Sequence, residues 1–365
     1  MPEETVSEAA LLKALEAVKD PDLGQSIVAM GMIKDVLIED GGAKLTFTCE
    51  LTTPACPVKE QIEKDIRGTV ARAFPRVKDL QLSMTGKVRS ATSLLPAGGE
   101  NHVPQIKNVV LVGAGKGGVG KSTVAVNLAA ALKTLGAAVS VLDLDVYGPS
   151  LPMMTGVTGK PKLQGETKIK PILAHGMEVM SMGFLVEPKQ AMIWRGPILN
   201  GIVVQFLRDV LWSPADYLIV DLPPGTGDVP LALAQCCSPA GAVLVTTPQE
   251  VSLADVFRAK AMFDQVRVPV LGLIENMSGF YCDQCHKRHD IFKSGSGEHA
   301  AEQMKIPLLG RVPIDTAITA SGDEGVPVVL RAPDSAPAKA FVAAAERLAA
   351  QISIRRMAQT PPAAD

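Results

Sequence analysis

Aromatic residues are scarce in this chain, at 4% of 365 residues, too few to build the stacking platforms that bind single-stranded nucleic acid. Neither sign of charge is in excess. Lys and Arg number 36 against 38 Asp and Glu, a formal net charge of −2, so nothing favours a polyanionic partner. No uninterrupted apolar run approaches the roughly 20 residues that span a bilayer. The first residues, Met1-Pro-Glu-Glu-Thr-Val-Ser-Glu8, are acidic and lack the basic start and apolar stretch of a secretory signal. Cysteine is sparse as well. Six in so long a chain, with no export signal, point to reduced thiols rather than a disulfide framework. These absences predict a cytoplasmic protein that engages neither membrane nor nucleic acid. What the chain does have is apolar mass, 47% of its residues, and a length that suits about two domains.

Residues 1–88 read as a small α+β unit. Thr5 and Glu8 have capping-box spacing, and Leu11, Leu12, Leu15 and Val18 follow at helical intervals. Asp20-Pro-Asp-Leu-Gly24 stops that helix. Two strands then flank a Gly41-Gly42 turn. In the second, Leu45, Phe47, Cys49 and Leu51 alternate with Thr46, Thr48 and Glu50, the period of a half-buried strand. A helix over about 57–74 and a strand near 80–84 complete the unit. Residues 89–105, containing Leu95-Pro-Ala-Gly-Gly-Glu-Asn-His102, read as a linker. Over 106–350, apolar strands at 108–112, 138–144, 217–221, 241–247 and 269–275 alternate with helical stretches. That alternation predicts an α/β fold with a mostly parallel, doubly wound sheet. The lysine-bearing stretch 158–170 reads as a solvated hairpin. A last helix over about 336–355 leads into a short tail, assigned to 351–365. No internal repeat is present.

The chemistry starts at Gly115-Lys116-Gly117-Gly118-Val119-Gly120-Lys121-Ser122, which satisfies the phosphate-binding pattern G-x-x-x-x-G-K-[ST]. An ordinary glycine-rich turn would lack its flanks. An apolar strand precedes it, and a helix-prone run begins at Thr123, so backbone N–H groups and a helix dipole face a phosphate chain. The pattern predicts a P-loop that binds a nucleoside triphosphate, with Lys121 on the β- and γ-phosphates and the Ser122 hydroxyl on Mg²⁺. Asp221 ends a strand, where a carboxylate would hold the metal shell. The loop Leu-Pro-Pro-Gly225-Thr-Gly-Asp228 follows and offers a glycine N–H to a γ-phosphate. Asp143 and Asp145 end another strand. Period-two alternation puts both on one face, suited to metal and attacking water. The competing reading for all three aspartates is capping of a helix or turn.

Lys116, together with the Pro-Pro-Gly-Thr-Gly-Asp loop, resembles the deviant-Walker branch of P-loop ATPases. The resemblance implies a face-to-face homodimer in which Lys116 reaches the partner's nucleotide and stabilises charge on the transferring phosphoryl group. It also implies that Asp145 positions the hydrolytic water and that Asn276 recognises adenine. A lone Asn ending a strand is equally often a turn residue.

Cys282-Asp-Gln-Cys285 lies in the polar stretch Gly279-Phe-Tyr-Cys-Asp-Gln-Cys-His-Lys-Arg-His289. Two thiolates at this spacing grip one soft metal centre, and a two-fold dimer would supply another pair, giving four thiolates for a [4Fe–4S] cluster. Four other readings stay open. His286 completes a haem-attachment pattern, but that chemistry belongs outside the cytosol. His286 and His289 would complete a mononuclear zinc site, at unusually tight spacing. A thioredoxin-like pair would open a helix, and a polar loop follows here. The last is two unrelated cysteines. Cys56, in Leu51-Thr-Thr-Pro-Ala-Cys-Pro57, precedes a helix expected to start at Pro57. There its thiolate would be stabilised, making it a candidate reactive thiol or transient ligand, against an inert loop thiol. Cys49, Cys236 and Cys237 read as structural.

Residues 106–350 resemble the Mrp/ApbC family of iron–sulfur cluster carrier ATPases. The matches are the P-loop, Asp-Leu-Asp-Val-Tyr-Gly-Pro-Ser150, Trp194-Arg-Gly-Pro, the Asp221 loop, Val-Thr-Thr-Pro-Gln249, Glu-Asn-Met-Ser278 and the cysteine pair. Residues 1–88 resemble the metal–sulfur assembly domain often fused ahead of it, with Cys56 at that domain's characteristic cysteine. Asp283 and His286 depart from the proline and glycine usual beside the pair. The resemblance implies ATP-dependent binding of a [4Fe–4S] cluster at a homodimer interface and its transfer to apo iron–sulfur proteins, with scaffold proteins as further partners. Positioning or partition ATPases acting on membrane or DNA would need a basic amphipathic helix or a basic face. The last helix carries few cations and reads as a docking helix. An electron donor like the nitrogenase iron protein also bridges a cluster, but its cysteines lie far apart in sequence.

Overall fold

The computed structural model describes residues 6–90, 100–146, 148–185, 196–225, 227–282, 284–285, 287–293 and 295–359. The chain divides into two compact units, Met1–Arg89 with Ala349–Asp365, and Ser90–Leu348.

The first unit runs α1 (Glu8–Leu15), β1 (Ile33–Glu39), β2 (Lys44–Leu51), α2 (Lys59–Ala73) and β3 (Asp79–Gly86). The cap of α1 is Ser7, whose Oγ accepts the Ala10 N–H at 3.2 Å. Thr5, expected in that role, lies outside the described residues. The turn after α1 is built by Asp20, whose Oδ1 accepts the N–H groups of Asp22 and Leu23. β2 pairs antiparallel with β1 and parallel with β3, so α2 is the crossover that a parallel pair requires. Every second residue of β2 is buried, from Leu45 to Leu51, and packs with Leu11, Leu15, Ile62 and Ile66. α2 begins at Lys59 with Val58 as its N-cap. Cys56 therefore precedes the N-cap Val58 rather than adjoining the helix directly, a shift from the expected start at Pro57.

The second unit begins with β4 (Ile106–Ala114), α3 (Lys121–Thr134), β5 (Val139–Asp143) and α4 (Leu151–Met154). A small hairpin, β6 (Lys162–Gln164) with β7 (Lys168–Lys170), is followed by β8 (Ile172–Ala174) and β9 (Met177–Ser181). Next come α5 (Gly196–Arg208), β10 (Ala215–Asp221), α6 (Val229–Cys236), β11 (Gly241–Thr246), α7 (Glu250–Gln265) and β12 (Val270–Glu275). A second hairpin, β13 (Phe280–Tyr281) with β14 (Arg288–His289), precedes α8 (Ser296–Met304), β15 (Leu308–Arg311), α9 (Thr316–Glu324), α10 (Val328–Arg331) and α11 (Ala336–Gln359).

Eight strands form one sheet in the order β15-β12-β11-β4-β10-β5-β9-β8, parallel throughout except for β8 at one edge. The central strands are buried on both faces, which is why they read as continuous apolar runs. The order doubles back at β4. From β4 the chain crosses to β5 and then β9 on one side, returns to lay β10 between β4 and β5, and then runs outward through β11, β12 and β15 on the other, a doubly wound arrangement. β8, β9 and β15 were not anticipated. They are short, and β8 and β9 turn at His175-Gly176, both at positive φ. α11 buries Phe341, Ala344, Ala345 and Leu348, as a docking helix should. Among the described residues no helix is long and apolar enough to cross a membrane.

Candidate functional site

The loop Gly115–Gly120 joins the C-terminal end of β4 to α3, at the point where strand order reverses, where open α/β sheets hold their ligands. Two of its glycines are dictated by close approach. A Cβ on Gly115 would lie 2.2 Å from the Asp255 carbonyl group of α7. Gly120, the left-handed N-cap of α3 at φ 79°, would put one 2.2 Å from Asn276 Nδ2. Gly117 and Gly118 are exposed, Val119 is buried, and Lys116, Ser122 and Thr123 are half-buried.

Lys121 is buried at 7% exposure. Its Nζ lies 2.6 Å from Asp221 Oδ1 and 3.7 Å from Asp145 Oδ2. Asp143, Asp145 and Asp221 are all buried, so three carboxylates share one buried cation. Asp221 Oδ2 has no hydrogen-bond partner among the described residues. An orphaned buried carboxylate oxygen, surplus negative charge and a nearby serine hydroxyl are what a hard divalent cation needs, so these residues fit Mg²⁺. Burial raises the pKa of Asp221 against the opposing pull of Lys121.

β5 ends at Asp143, so Asp145 lies just past the strand, and both carboxylates are buried beside Lys121 and Asp221. The Asp143 carboxylate accepts hydrogen bonds from Ser181 Oγ (2.9 Å), the Asp145 N–H (2.9 Å) and the Leu151 N–H (3.4 Å). No motif flagged Ser181, which comes from a strand the sequence did not reveal. Burial and the neighbouring Asp221 charge push the Asp143 pKa up to about 7. The ordinary value is 3.8, so the folded state holds this proton longer than the unfolded chain does. Stability from this group is present below pH 4 and is lost as pH rises towards 7. Asp143→Asn lacks that slope. Measured by thermal melts without nucleotide or Mg²⁺, its stability relative to wild type should rise by about 2 kcal/mol between pH 5 and pH 8. A pH-independent difference would contradict this.

Asn276 is buried and donates from Nδ2 to the Val119 carbonyl at 2.9 Å, a direct clasp on the phosphate loop. The Gly225 N–H, expected to face a γ-phosphate, lies 3.4 Å from the Ala114 carbonyl. Lys116 forms no ion pair among the described residues.

Cys282 and Cys285 sit at the tip of the β13–β14 hairpin, where Phe280 pairs with His289 and Tyr281 with Arg288, and the Cys282 N–H donates to the Lys287 carbonyl. Cys282 is half-buried, Cys285 is exposed, and neither is in a disulfide. Among the described residues no third His, Cys, Asp or Glu joins them as a metal site. Asp283, His286 and the Trp194-Arg195 motif lie outside the described residues. Cys49 and Cys237 are buried, and burial pushes the Cys49 thiol up to about 12 and raises that of Cys237 as well. These are inert core thiols.

Residues 105–349 match the family model of the NUBPL iron-transfer P-loop NTPases, and residues 8–82 match that of an iron–sulfur cluster assembly protein. An iron–sulfur cluster carrier protein of Synechocystis is 47% identical over 351 residues, 94% of this chain and 98% of its own length. One from Deinococcus radiodurans is 47% identical over 354 residues, 96% and 97% of the two chains. The solved structure of an Archaeoglobus fulgidus nucleotide-binding protein in complex with ADP superposes with a TM-score of 0.55 at 38% identity, covering 62% of this chain and 90% of that one. Its P-loop, its aspartate cluster and the match over two-thirds of its length agree: the chain belongs to the NUBPL iron-transfer P-loop NTPase family and is a nucleotide-hydrolysing enzyme.

Proposed function

We propose that this protein is a cytoplasmic, ATP-dependent iron–sulfur cluster carrier that takes a [4Fe–4S] cluster as cargo between two copies of itself and delivers it to apo iron–sulfur proteins. Cluster scaffold proteins would be its other partners. The observation that carries the reading is the cysteine hairpin. It presents two thiols without a third ligand among the described residues, on the same sheet edge as the phosphate loop. A second copy would complete a four-thiolate site.

In this reading the loop amides from Gly115 to Thr123 wrap the phosphates, Lys121 leaves Asp221 for the β- and γ-phosphate oxygens, and Asn276 reads the adenine. The Ser122 hydroxyl with Asp221 and Asp143 would hold Mg²⁺, which neutralises charge on those oxygens when bound. Asp145 orients the attacking water, and Lys116 stabilises the phosphoryl group on the partner's nucleotide. Because Lys116 forms no ion pair among the described residues, Lys116→Ala should cut phosphate release by about 10³-fold while leaving stability within ~0.5 kcal/mol of wild type. Wild-type turnover in that variant would remove the cross-subunit role.

The test of the whole reading is iron and acid-labile sulfide after anaerobic reconstitution, with molecular mass by sedimentation. About four of each per two chains supports it. Zinc, or no metal at all, sinks it.

A further inference from the structure

β12 ends in two consecutive residues that face different machinery. Glu275 is fully buried, a rare setting for a carboxylate and a costly one unless every lone pair is used. Its partners are the Ser278 hydroxyl at 2.6 Å and the Gly297 N–H at 2.7 Å, with Arg311 Nε at 3.6 Å. Gly297 lies in the first turn of α8, so the carboxylate satisfies that helix start from beneath. Only glycine permits the approach, because a Cβ on Gly297 would stand 2.7 Å from Glu275 Oε1. Ser278 and Gly297 are the two feet of the segment that carries Cys282 and Cys285. One buried carboxylate therefore grips both.

Asn276, the next residue, points the other way and holds the Val119 carbonyl of the phosphate loop. Its own N–H donates to the Thr246 carbonyl, which fixes it to the sheet. The connection from loop to hairpin is thus Val119, Asn276, Glu275, then Ser278 and Gly297, with a hydrogen bond or a peptide bond at every step. The carboxylate cannot release one foot cheaply, since a buried acceptor left unsatisfied costs more than a hydrogen bond contributes. A displacement of the strand end therefore moves both feet together.

We infer that Glu275 is a positioning residue that couples the nucleotide loop to the cysteine hairpin: phosphate seated in the loop shifts the Val119 peptide, Asn276 passes the shift to the end of β12, and Glu275 resets both feet of the hairpin. This rests on the reading of the loop and the cysteine pair given above, but its test needs no cluster.

The experiment is peptide-resolved alkylation of Cys282 and Cys285 by N-ethylmaleimide in the reduced, metal-free full-length protein, with and without MgADP or a non-hydrolysed MgATP analogue. Buried Cys49 and Cys237 serve as controls for unfolding. Wild type should show a nucleotide-dependent change in rate of about fivefold or more, the lower range for coupling between sites. Glu275→Gln should bind nucleotide and hydrolyse ATP as wild type does, yet lose that change. Its amide cannot accept from both Ser278 and Gly297 as the carboxylate does, and it carries no charge for Arg311. Should Glu275→Gln fail to fold, Ser278→Ala keeps the carboxylate on Gly297 and frees one foot, and the change should shrink there too. No response in wild type overturns the inference, as does a full response in either folded variant. Dimer closure that merely covers the thiols would survive both substitutions and so counts against it. A protein that binds no cluster but shows the lost response in Glu275→Gln would sink the carrier reading and leave the coupling standing.

Discussion

Lys121→Met is expected to abolish ATP hydrolysis and to weaken the nucleotide-free fold at the same time. The two effects share one cause. Among the described residues Lys121 is the one buried cation beside Asp143, Asp145 and Asp221, with its Nζ 2.6 Å from Asp221 Oδ1. Methionine keeps the apolar stem packed and removes only the ammonium. What remains is a group of buried carboxylates without compensation, a change that typically costs roughly 3–5 kcal/mol, less whatever protonation relieves. The loss of the charge aimed at the β- and γ-phosphates should lower phosphate release by about 10³-fold or more. Steady-state phosphate release and thermal melts on the same preparation measure both. Adding Asp221→Asn to the variant should recover much of the stability and none of the turnover, since the surplus charge is then gone but the phosphate ligand is still missing. Wild-type turnover in Lys121→Met would reduce the lysine to a structural role. An unchanged melting temperature would show that the ion pair contributes nothing to the fold.

Much of the architecture was legible because burial and periodicity left clear marks. β2 alternates, β4, β5 and β11 are mostly apolar and buried, and the glycine loop stands between a strand and a helix. What escaped was set by tertiary contact. β8, β9 and β15 are too short for a periodic signal, and they join the sheet because longer neighbours offer an open edge. The α2 boundary moved because Pro57 looks like a helix start, whereas the chain turns once more through Cys56 and Lys59 before the helix begins. The hydrogen bond that Asp143 receives from Ser181, 38 residues on, was invisible to any local pattern. Glu275 was within a quoted motif, but nothing in Glu-Asn-Met-Ser says that the carboxylate is buried and holds Gly297 across 22 residues.

Replacing both cysteines, Cys282→Ser/Cys285→Ser, should take iron and sulfide from about four per pair of chains to near zero while leaving the fold intact. Backbone pairing holds the described part of the hairpin. Its ladder pairs Phe280 with His289 and Tyr281 with Arg288, and the Cys282 backbone closes the tip on Lys287. Serine is nearly isosteric at these half-buried and exposed positions, so stability should stay within ~0.5 kcal/mol of wild type. ATP hydrolysis should persist, because no phosphate ligand is touched. The single variants carry the sharper information. In a site shared across a two-fold axis each substitution removes two of the four thiolates, so Cys282→Ser alone should be as empty as the double variant. A mononuclear site completed within one chain by His289 would behave differently, giving about one zinc per chain in wild type. A cluster retained in the double variant would place the ligands elsewhere, with Cys56 as the next thiol to replace. Equal loss in both single variants, together with a mass of two chains, would show that the site exists only where two copies meet.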